Sequence, residues 1–67
     1  MDEREETMTF KLYINADNAA FDPPQPELAR ILRGIADRID NGLEMRQFQT
    51  IHDGNGNPVG QFALKEV

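Results

Sequence analysis

Apolar and polar residues change period along this chain, and each change marks an element. In residues 7–15 (TMTFKLYIN), Met8, Phe10, Leu12 and Ile14 alternate with Thr9, Lys11, Tyr13 and Asn15. A period of two is what a half-buried strand requires, and the even residues are expected to face a helix. In residues 26–42 (PELARILRGIADRIDNG), Leu28, Ile31, Leu32, Ile35 and Ile39 recur at helical spacing and form one apolar stripe. Residues 43–52 (LEMRQFQTIH) return to a strand pattern with a flaw: Leu43, Met45 and Ile51 share one parity and Phe48 takes the other. Two readings stay open there. A bulge near residues 47–49 brings Phe48 back to the core, or Phe48 points to the opposite face and meets Tyr13. Residues 58–65 (PVGQFALK) form a third strand, with Phe62 and Leu64 on one face and Val59, Ala63 and Val67 on the other.

The joints carry their own signals. Residues 16–25 (ADNAAFDPPQ) are a connection in which Asp17 and Asn18 favour turns and caps, and Pro23 and Pro24 hold the backbone extended. Phe21, a large aromatic in a polar loop, is expected to plug one end of the core. Pro26 suits the first helical position and Glu27 the positive end of the helix dipole, while Gln25 is a poor N-cap. Asn41-Gly42 supplies the helix stop. Gly34 in mid-helix costs about 1 kcal/mol relative to Ala and is read as tolerated. Residues 53–57 (DGNGN) provide the positive φ angles of a hairpin connection.

These elements predict an α+β fold of order β-α-β-β: a three-stranded, mainly antiparallel sheet with one helix packed on one face. Strand order 1-3-2 is favoured because it makes the sheet wholly antiparallel, and such a sheet tolerates one wet face. The alternative places strand two in the middle with a parallel 1-2 pair. Residues 1–6 (MDEREE) lack any period and read as a disordered acidic tail, leaving residues 7–67 as a single small domain.

Composition narrows the chemistry. At 67 residues the chain has room for one core. It has no cysteine, hence no disulfide or thiolate metal site, and its one histidine, His52, cannot hold zinc alone. There is no apolar run of the ~20 residues a membrane span needs, and the charged start is unlike a signal peptide, so a cytoplasmic location is expected. The formal charge of −5 argues against direct nucleic-acid binding; it suits a protein or ribonucleoprotein partner with a basic surface, or serves only to keep the protein soluble. Residues 1–6 hold four acids and one arginine, so −3 of that charge lies there. The candidate contact residues are Asp17, Asp22, Asp37, Asp40 and Glu44, with Tyr13 as an aromatic anchor; self-association as a homodimer through the open sheet face is the other possibility. Arg30, Arg33 and Arg38 make the outer helix face mixed rather than acidic.

Catalytic and metal patterns fail on their own requirements. Asp53, Asn55 and Asn57 resemble the start of a calcium loop, but Pro58 stands where glycine is needed and Leu64 where a bidentate Glu is needed. His52 and Asp53 are adjacent in a strand and therefore point apart. There is no Ser or Cys nucleophile, and GNGNPVG lacks the lysine and helix of a phosphate-binding loop. No enzymatic activity, cofactor or metal is expected.

Three segments carry a resemblance: DNAAF at residues 17–21, ELARILR at 27–33, and DGNGNPVG at 53–60. Over residues 8–64 the chain resembles short proteins encoded by phages and prophages. The resemblance implies a phage accessory protein, a group that includes inhibitors of host defence such as anti-CRISPR proteins, several of them tiny, acidic and without enzymatic activity. It supplies no functional residues.

Overall fold

A computed structural model describes residues 7–66. Strand β1 (Met8–Ile14) is followed by a single 3-10 turn (Ala19–Phe21), helix α1 (Pro24–Asp40), strand β2 (Gln49–His52) and strand β3 (Pro58–Glu66). The sheet is antiparallel throughout, in the order β1-β3-β2. The favoured order thus holds, and the parallel 1-2 alternative does not.

Register fixes the faces, because residues directly opposite each other share one. β1 pairs with β3 without interruption from Met8↔Glu66 to Ile14↔Gly60. Met8, Phe10, Leu12 and Ile14 therefore share a face with Leu64, Phe62 and Gly60, and with Gln49 and Ile51 of β2. Helix α1 packs on this face. The core is Phe21, Ile31, Ile35, Ile51, Val59 and Phe62, with Phe62 wholly buried, and Ile14, Leu28, Ile39, Leu43 and Met45 packed around it. Phe21 does plug one end. Val59, expected on the opposite face, joins the core where the β2–β3 register shifts between Ile51 and His52, an irregularity that re-aims the strand. Val67 lies outside the described residues, as does the expected tail, residues 1–6.

The helix starts two residues earlier than its apolar stripe suggests. Pro24 and Pro26 both fit its first turn, where an N–H would lack an intrahelical acceptor, and the cap is Pro23 rather than Gln25. Its stop is a Schellman motif: Gly42, at φ 92°, donates to Ile39 O at 3.0 Å and Leu43 N–H to Arg38 O at 3.1 Å.

The second strand is shorter than expected, because residues 43–48 are irregular and bend at 46–47. The Glu44 carboxylate accepts the Arg46 N–H at 2.8 Å, and Gln49 Nε2 donates to the carbonyls of Glu44 (3.1 Å) and Gln47 (3.3 Å). These local side-chain to backbone bonds offer the segment an alternative to a strand. Leu43 and Met45 still pack on the core, and Met45 O accepts the Leu64 N–H at 2.8 Å. No bulge returns Phe48 to the core; it belongs to the opposite face.

Candidate functional site: an uncovered apolar strip on the sheet

One helix about 10–12 Å wide only just spans three strands spaced about 4.8 Å apart, so a helix set off-centre leaves an outer strand uncovered. Here α1 lies toward β2 and β3. Arg30, Gly34 and Arg38 on one helix flank form a groove with Thr50 and His52 of β2. The Arg38 guanidinium stands 5.8 Å from the Phe62 ring centroid. By helical rotation Leu32 lies on the other flank, toward β1, and it is largely exposed. The strand left outside the cover is β1.

Only the Ile14 end of β1 is sealed. Met8, Phe10 and Leu12 share the helix-bearing face, yet they are 49%, 45% and 37% exposed. The expectation that all the even residues pack under the helix is therefore corrected to one residue in four. Phe10 leans on the core edge, with its ring centroid 5.9 Å from that of Phe62 at 46°. The strip Met8–Phe10–Leu12 holds three of the four large apolar residues left exposed on this face among the described residues.

The opposite face carries a smaller aromatic feature. Tyr13 and Phe48 line a shallow concavity with Lys11 and Gln61. Lys65 Nζ lies 4.3 Å from the Phe48 ring centroid, close enough for a cation–π contact. The lysine covers one face of that ring, yet Tyr13 and Phe48 remain 61% and 53% exposed; this feature is as open as the strip but holds two large side chains rather than three.

The acidic candidates do not converge. Asp17 and Asp22 flank the 3-10 turn before the helix, whereas Asp37, Asp40 and Glu44 lie at or beyond its far end. A helix of 17 residues is about 25 Å long, so the two groups are a helix length apart. Tyr13 is on the other side of the sheet from the helix. Glu44 is partly occupied by the Arg46 N–H.

Two acids outside that group, Asp53 and Glu27, prove to be structural, through partners distant in sequence. Asp53 is buried, and its carboxylate accepts four hydrogen bonds. The N–H groups of Asn55 (2.8 Å) and Asn57 (2.9 Å) reach Oδ1, while Nδ2 of Asn18 (2.8 Å) and of Asn57 (3.2 Å) reach Oδ2. These donors, the Asn57 N–H foremost, hold its pKa below the usual value despite burial. In a calcium loop such oxygens would converge on an ion; here they converge on N–H groups. Glu27 accepts from Arg30 at 2.7 Å and from the Gly54 N–H at 2.7 Å, tying the helix start to the hairpin loop. The Arg30 hydrogen bond is the main cause of its lowered pKa. Among the described residues no cluster of three or more His, Cys, Asp and Glu is placed to hold a metal, and no helix is long and apolar enough to cross a membrane.

Comparison with known protein families, curated proteins and solved structures finds no match to this chain.

Proposed function

We propose that this chain is a small accessory protein that acts by binding another protein, with the Met8–Phe10–Leu12 strip as its docking surface. The observation that carries the reading is the half-exposure of three large apolar residues in a row on an otherwise core-facing side of the sheet. Exposed apolar patches rimmed by polar groups are the usual mark of interaction surfaces. The chain order adds a second feature. Residues 1–6, with a net charge of −3, join β1 at its open end. A partner surface that pairs an apolar patch with basic residues would complement both. Binding rather than catalysis fits the lack of a convergent set of reactive groups among the described residues.

The resemblance to phage-encoded accessory proteins makes a host CRISPR effector complex the first partner to test, with inhibition arising when a basic nucleic-acid-binding surface is occupied. Capture of a purified Cascade-type effector by the full chain, by Phe10→Ser and by Asp17→Asn/Asp22→Asn tests this reading. Phe10→Ser is expected to weaken capture about tenfold or more, as loss of a central aromatic anchor does. The paired acid neutralisation, and salt, are expected to weaken it less. A complex that ignores Phe10→Ser and dissolves with salt or with the neutralised acids would replace the apolar strip by charge mimicry. No capture at all removes the effector as partner.

A further inference from the structure

The strip ends at an open strand edge, and the hydrogen bonds show which groups face it. Asn15 N–H donates to Val59 O at 2.7 Å, so the odd positions of β1 bond to β3. The Leu64 N–H, at an even position of β3, donates the other way, to Met45 O. The alternation therefore turns the N–H and C=O groups of Met8, Phe10 and Leu12 outward, to the side where no described residue pairs. Three apolar side chains and their backbone groups belong to the same three residues.

Edge strands normally carry a device against pairing: a proline, a charged side chain such as lysine, a bulge or a cover. Within Met8–Ile14 there is no proline, and the register with β3 is unbroken. The one charge is Lys11, whose side chain is on the other face and whose backbone bonds to β3. Among the described residues Lys11 is the one such device on β1, and it leaves the backbone groups of Met8, Phe10 and Leu12 open.

We infer that β1 pairs antiparallel with β1 of a second copy, giving a six-stranded sheet in which the two apolar strips merge on one face. A two-fold pairing of this kind is self-complementary, so no further surface is needed. Charge selects the register. Centring the pair on Lys11 would oppose two lysines, which destabilises a sheet. Centring it on Phe10 opposes Phe10 to Phe10 and Met8 to Leu12, all apolar. Area makes the pairing weak and concentration-dependent. Three half-exposed side chains amount to a few hundred Å² at most, a size found on ordinary monomers. A stable interface takes about 800 Å² from each partner. Doubling the strip brings the merged face nearer the size a protein partner requires.

This inference deepens the proposed docking surface and rests on it for its purpose, although the pairing can be tested alone. Amide exchange is measured on the full chain, dilute and concentrated, beside its mass by light scattering. The expected result is a dimer mass on concentration, with the amides of Met8, Phe10 and Leu12 slowed about tenfold or more while those of Thr9, Lys11 and Tyr13 change little. A monomer mass with even-numbered amides exchanging equally fast at both concentrations overturns the pairing. So does a dimer whose even-numbered amides gain no protection, since it must associate elsewhere. A monomer that captures its partner through Phe10 defeats the pairing and leaves the docking surface standing. A β1-paired dimer that Phe10→Ser disrupts, but that captures no protein partner, does the reverse.

Discussion

The two ends of the β1–β3 ribbon have the same alternation on the same face and opposite fates. At the Ile14–Gly60 end, Phe21, Ile31 and Ile35 close over Ile51 and the sheet, and Asp53, Asn18, Asn57 and Glu27 knot the loops. At the Met8–Glu66 end, the same face holds Met8, Phe10 and Leu12 in solvent. Residue type does not separate the ends. Cover does: the helix has reached Asp40, just past Arg38 over Phe62, when its Schellman motif stops it, and the following turn crosses on the β2 side. An apolar strand residue is thus core or contact surface according to what lies above it.

The sharpest break in this comparison is Phe62→Ala. Truncating a wholly buried Phe costs about 3–5 kcal/mol. That is about the whole net stability of a core this small. The variant is expected to show no cooperative urea transition. Gly60→Ala comes next. A Cβ there would stand 1.9 Å from the Tyr13 carbonyl oxygen, a backbone atom that cannot swing aside. Forcing the strands apart is expected to cost about 1–3 kcal/mol, read as a lowered urea midpoint.

Acid titration probes the knot at the closed end. Asp53 and Glu27 both have lowered pKa values in the fold, so the stability they contribute is complete above their unfolded values, near pH 4, and fades as pH falls through the folded ones. Melting temperature is expected to hold from pH 7 to about 5 and then to drop on acidification. In Asp53→Asn that drop should be shallower, from a lower starting point. An unchanged acid profile would show the knot to be without energetic weight.

Gly34→Ala is the mildest test and has the opposite sign. An added Cβ meets nothing within 4 Å, so the variant should gain up to about 1 kcal/mol from helix propensity. A loss would mean that the groove between α1 and β2 is narrower than its geometry indicates.

Much of the fold was legible in the residues because its signals are local. The alternation of β1, the stripe from Leu28 to Ile39, the DGNGN turn and the Asn41-Gly42 stop each depend on neighbours in sequence, and together they led to the observed strand order. What escaped depends on distant partners. Residues 43–48 alternate like a strand, but Glu44 and Gln49 spend their polar groups on nearby backbone. Pro24 looked like a spacer, yet it opens the helix. The uncovered strip was hidden for the same reason, since alternation reports a face and not its cover. One clue was present. Met8, Phe10, Leu12, Ile14, Ile51, Phe62 and Leu64 are more apolar side chains than one helix stripe can cover. The acidic candidates were legible as charges but not as positions, and the fold separates them by the length of α1.

The measurement that bears most directly on the two ends is urea unfolding of Phe10→Ser in dilute solution, where no second copy contributes. Phe10 is half exposed, so about 1 kcal/mol of lost stability is expected, well below Phe62→Ala. A loss of about 3 kcal/mol or more, matching a buried Phe, would place Phe10 in the core and contradict an open strip.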